Sequence, residues 1–152
     1  MKRFLLCLVL FLPFFWAKSQ QDSILLNVKL NDDQKSISVE QTLIYHNPHQ
    51  KSINQIKLLN WVSAYQNRKT PHLKRKVEDR KKDLNFAKDD KLGKLENLQY
   101  SYGNISSEIL NKTQENIFIP LGQPLESGKS IRLNLKYQIQ LPDARFTGYG
   151  VD

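Results

Sequence analysis

From Ser130 to Leu141 the chain alternates strictly: Ile131, Leu133, Leu135, Tyr137, Ile139 and Leu141 are separated by Arg132, Asn134, Lys136, Gln138 and Gln140. Neighbouring side chains on a strand point to opposite faces, so this run buries one face and wets the other. A helix is excluded, because its apolar positions recur every three or four residues. The same pattern runs from Ser36 to His46, where Ile37, Val39, Leu43 and Tyr45 share a face with Gln41, and again through Ile24, Leu26, Val28 and Leu30. Shorter strands are expected at Ile53 to Leu59, Leu98 to Tyr102 and Glu115 to Ile119. Turn-forming residues punctuate these runs at Asn31-Asp32-Asp33, Asn47-Pro48, Pro124 to Gly128 and Pro142-Asp143. No helix alternates regularly with the strands. The pattern therefore predicts an all-β fold, an antiparallel β-sandwich or saddle, not a parallel α/β sheet.

The first residues obey a different logic. Lys2 and Arg3 precede an unbroken apolar run from Phe4 to Leu12, and the small residues Ala17 and Ser19 follow. That is the build of a secretory signal peptide, with cleavage expected after Ser19. The run is shorter than the roughly 20 residues of a spanning helix, so no stable membrane anchor is expected. Cys7, the only cysteine, follows Leu6, where a lipid-modified signal needs a small residue, and it leaves with the signal peptide. The expected organisation is a signal peptide at residues 1–19 and a β domain at residues 20–152, incomplete at its C-terminal end. The product is expected in the periplasm, at the cell surface or outside the cell. It has no disulfide to staple its core. Removal of Lys2, Arg3 and Lys18 lowers the formal net charge from +8 to +5.

That remaining charge is concentrated. Arg68 to Lys91 carries ten Lys or Arg and five Asp or Glu, so it alone accounts for +5. Leu73, Val77 and Leu84 there suggest a thin apolar stripe on a solvated helix or mobile insertion. The competing reading is an electropositive patch for an anionic polymer or membrane surface. Nucleic acid is not an expected partner, because the five acids dilute the field and no aromatics are interleaved for stacking on bases.

Candidate chemistry is sparse. His46 and His49 are three apart, but Asn47-Pro48 between them cannot continue a helix, and a third zinc ligand would have to be His72 or a carboxylate. No nucleophile elbow, phosphate loop, dinucleotide fingerprint or H-E-x-x-H occurs. No catalytic, cofactor-binding or metal residue is therefore assigned. Asn104-Ile105-Ser106 and Asn111-Lys112-Thr113 fit the glycosylation acceptor pattern. Trp61 and Tyr65 could form a sugar platform, although packing at a sheet edge or against a partner domain is the expectation.

Three blocks carry a family resemblance. Tyr45, Asn47, Leu58, Trp61, Ala64, Tyr65 and Thr70 fall in the order found near the start of exported bacterial zinc aminopeptidases of the aminopeptidase N type. Asp83 to Gly93 is similar to that family's charged segment before a further strand. Pro124-Leu125-Glu126-Ser127-Gly128-Lys129-Ser130, with the alternating strand and Leu141-Pro142 after it, is similar to a turn and strand of the same domain. The resemblance covers about residues 36–146; Ala144 to Gly150 matches only loosely. It implies a truncated hydrolase: the N-terminal β domain of a metallopeptidase, a scaffold beside the peptide cleft. In the full-length family, zinc held by two His and one Glu would activate water, with a second Glu as base. None of those residues can be carried onto this chain. The implied partners are the catalytic domain of the same polypeptide and, in the full-length form only, a peptide substrate. The alternative is an independent exported β-sandwich that binds a surface partner, polysaccharide or peptide.

Overall fold

The computed structural model describes residues 21–109, 115–147 and 150. The expected signal peptide and the acceptor triplet at Asn111 lie outside them. Strands β1 (Ser23–Asn31), β2 (Ser36–His46) and β3 (Ile53–Leu59) lead into helices α1 (Pro71–Glu78) and α2 (Asp83–Phe86). Then follow β4 (Lys94–Tyr102), β5 (Ile105–Glu108), β6 (Asn116–Leu125), β7 (Ser130–Gln140) and a short helix α3 (Ala144–Thr147). Five strands form one antiparallel sheet in the order β1-β2-β7-β4-β5, and β3 pairs with β6 in a second. The protein is thus a predominantly antiparallel β domain of two sheets with a helical insertion.

Register explains which face is buried. β2 meets β7 with Leu43 opposite Leu133, Val39 opposite Tyr137 and Tyr45 opposite Ile131, so both apolar sets fall on one side. The two-stranded sheet contributes Ile117 and Ile119 to that side, where they pack with Leu43, Leu98, Tyr100, Leu133 and Leu135. In β4 the pairing slips between Glu96 and Gln99, and Asn97 adopts a left-handed φ of 52°. The extra residue switches parity, so Leu95 before the bulge and Leu98 after it both face the core.

The turn between β2 and β3 is tied to the turn between β6 and β7 by Asn47, which has no exposed surface. Its amide donates to the carbonyls of Lys51 at 3.0 Å and Leu125 at 2.9 Å, and its Oδ1 accepts from the amide of His49 at 3.1 Å. Asn47 N–H donates to the Lys129 carbonyl, and its own carbonyl accepts from Gly128. A residue read from sequence as a turn breaker is therefore the bracket between the two turns.

Residues 60–92 are a second packing unit: the expected charged insertion is helical, built of two helices and not one. Leu73 and Leu84 are buried with Ala64, Tyr65, Ala87 and Leu92, but they lie on different helices, and Val77 is only half-buried. The break follows α1, where Arg80 takes a φ of 62° and the amides of Arg80 and Lys81 donate to Val77 and Lys76. This is a helix stop in which the left-handed position usually holds glycine. The start is equally defined: Thr70 caps α1 by accepting from the Leu73 amide, and Pro71 follows in the first turn. Arg68 closes the unit by donating to the carbonyls of Asn85 and Ala87 and to the carboxylate of Asp89.

Candidate interaction surface

The inner face of the large sheet is only partly covered. β3 and β6 lie over the β7–β4 side, while β1 at the opposite edge has nothing above it among the described residues. Ile24, Leu26, Val28 and Leu30 sit beside Leu43, Gln41, Val39 and Ile37 of β2, on the face that forms the core. They are nevertheless 52–61% exposed. A nine-residue apolar edge strand with a free ladder of N–H and C=O groups is a template for further pairing or packing.

A cleft of about 260 Å³ opens over the same face, lined by Leu58, Trp61, Leu95, Leu135, Tyr137 and Ile139 among others. Tyr137 donates to Gln41 Oε1 at 3.0 Å, and burial pushes its phenol up from the usual tyrosine value. The cleft therefore offers a mainly apolar wall whose polar side chains are the Tyr137–Gln41 pair and Asn60.

Trp61 and Tyr65 do not form one platform. Trp61 is 59% exposed at the rim of the cleft, whereas Tyr65 is buried and meets the imidazole of His72 edge-on at 4.9 Å. Burial pulls His72 below the usual histidine range, Lys76 and Arg75 add to this, and Glu115 opposes them. Its Nε2 is shut off from solvent and has no hydrogen-bond partner among the described residues. His46 sits at the end of β2, with Nδ1 3.4 Å from Ser130 Oγ, and His49 lies in the turn that follows. Among the described residues no group of three or more His, Cys, Asp or Glu is placed to hold a metal ion. The zinc implied for the full-length family thus finds no ligand set in them.

Sequence reasoning passed over Asp143. Its side chain is buried, it bonds the Arg145 guanidinium through both carboxylate oxygens, and Lys91 Nζ lies 3.2 Å away. Those bonds, the ones to Arg145 foremost, hold its carboxyl well below the usual carboxylate range. Pro142-Asp143 had registered only as a breaker, although a lone acid followed two residues later by Arg is a short-range pairing signal. The Asn104 acceptor triplet lies at the β4–β5 turn, exposed throughout.

No family model, curated protein or solved structure matches the chain.

Proposed function

We propose that this domain is the non-catalytic N-terminal β domain of an exported zinc aminopeptidase of the aminopeptidase N type, acting as a scaffold that packs beside a catalytic domain of the same polypeptide. The uncovered β1 face carries the reading. Four large apolar residues on the core side of a sheet are left more than half exposed. Hiding a Leu or Ile side chain is worth about 1.5–3 kcal/mol, so such a face favours a covering layer. The three sequence blocks support the same assignment. The first two pack together through Tyr65, Leu84 and Leu92 and are clamped by Arg68, and the third forms the β6–β7 turn held by Asn47.

The test starts with the reading frame downstream of Asp152. Continuation into an H-E-x-x-H helix is expected, and the extended protein, loaded with zinc, is expected to hydrolyse an aminoacyl reporter while the 152-residue chain does not. A stop codon directly after Asp152 would favour an independent binding module. Hydrolysis by the chain alone would overturn the scaffold role.

A further inference from the structure

The helical unit places its charges at one tip. Between Lys74 and Lys82 lie six cations and two acids. None of Lys74, Arg75, Lys76, Arg80, Lys81 and Lys82 is ion-paired among the described residues, and all but the half-buried Lys76 are exposed. Elsewhere in the unit two cations are used internally, Arg68 bound to Asp89 and Lys91 to Asp143, while Lys69 and Lys88 stand exposed and singly. The unpaired set is therefore a local excess that the fold itself does not consume.

A second observation falls at the same place. Phe86, on α2, is 78% exposed although Leu84 and Ala87 beside it are buried. Lys82, which caps α2 in helical conformation, lies one turn before Phe86 and so on the same side of the chain. An exposed aromatic ring one turn from an unpaired lysine is unfavourable in water alone. It suits an interface with anionic headgroups above and hydrocarbon below. Arg80 adds a third. It occupies a left-handed position where glycine costs least, so the tip carries a guanidinium at a conformational expense.

We propose that this tip docks the domain on an anionic lipid surface, with Arg80, Lys81 and Lys82 meeting phosphate headgroups and Phe86 entering the acyl boundary. Glu78, Asp79 and Asp83 are interspersed with the cations and limit the attraction, which makes the docking peripheral and reversible. No helix among the described residues is long and apolar enough to cross a membrane, so the contact is a surface one.

The experiment is co-sedimentation of the 152-residue chain with vesicles of phosphatidylcholine, alone or with one quarter phosphatidylglycerol, at low and high salt. Lys2, Arg3 and Lys18 flank the apolar run near the N-terminus and favour anionic vesicles themselves, so the readout is the change in that preference between the parent and the tip variants, all of which keep the same N-terminus. Expected is a clear preference for the anionic vesicles that disappears by about 0.5 M salt. At about a fivefold loss per cation removed, K81Q/K82Q weakens that preference about 25-fold and R80G about fivefold. R80G also raises the melting temperature, which separates binding from folding. F86S is expected to cost about tenfold on vesicles while leaving retention on heparin unchanged. Equal sedimentation with both vesicle types would overturn the proposal. So would an F86S variant that binds anionic vesicles as the parent does, or heparin or DNA binding that survives salt releasing the vesicles; either result would mark the tip as a general polyanion contact.

Discussion

Asn47 offers the sharpest test of how the two sheets are joined. Its side chain makes three hydrogen bonds to backbone groups of the two turns: the carbonyls of Lys51 and Leu125 and the amide of His49. Asn47→Ala removes all three bonds from a site with no exposed surface. At roughly 1 kcal/mol for each bond, the expected loss is about 3 kcal/mol, a large part of the 5–15 kcal/mol typical of a domain. Asn47→Asp is nearly isosteric, but an ionised carboxylate cannot donate and would face the oxygens of Lys51 and Leu125. Its loss is expected to exceed that of Asn47→Ala at pH 7. The sign with pH is also fixed. Burial against two carbonyls raises the pKa of the introduced carboxyl, so the folded variant holds its proton to higher pH than the unfolded one. Its deficit relative to Asn47→Ala must therefore grow as pH rises from about 4 to 7. Urea unfolding followed by far-ultraviolet circular dichroism at several pH values measures both effects. An Asn47→Ala loss below about 1 kcal/mol, or an Asn47→Asp deficit independent of pH, would refute the bracket.

Three further outcomes follow from other parts of the molecule. Leu133→Ala, at a position with no exposed surface between Leu43 and the second sheet, is expected to cost about 3–5 kcal/mol in urea unfolding, and a cost under 1 kcal/mol would mean the core is not packed as described. The lowered pKa of Asp143 adds stability that is complete above its ordinary value near 3.8 and is lost as pH falls from there through its much lower folded value, so Asp143→Asn should flatten the fall in urea midpoint below about pH 4; an unchanged slope would count against the Arg145 and Lys91 contacts. Leu26→Lys with Val28→Lys is expected to change the unfolding free energy by no more than about 0.5 kcal/mol while reducing self-association in sedimentation velocity, since both side chains are more than half exposed; a large loss of stability would show that β1 is already covered.

Much of the β architecture could be read from alternation, and the failures have physical causes. Ser36–His46 and Ile53–Leu59 form strands with the bounds expected, and the run that begins at Ser130 is β7. β4 was expected only from Leu98, because the extra residue at Asn97 puts Leu95 out of phase with Leu98 and Tyr100 and hides the first turn of the pattern. β6 was expected to end at Ile119; Pro120, which lacks an amide hydrogen, and Pro124 come next. It continues to Leu125 because the Tyr102 hydroxyl donates to the Pro120 carbonyl and accepts from the Gly122 amide, replacing ladder bonds with a side chain. β5 was not expected at all. Its four exposed residues lack alternation, and only Gly103-Asn104, a hairpin turn with Gly103 at a φ of 52°, signalled it. The open face of β1 could not be read from sequence, because its alternation is that of any half-buried strand. Exposure is set by what packs above it.

The sheet order also has a consequence for synthesis. β7 is made after the other strands described, yet it lies at the centre of the sheet, between β2 and β4. Until it leaves the ribosome, the β1–β2 and β4–β5 hairpins have no common neighbour and their inward side chains have nothing to close upon. Assembly must await that last strand, so nascent chains should stay sticky until late, and the finished sheet should form slowly, through contacts distant in sequence.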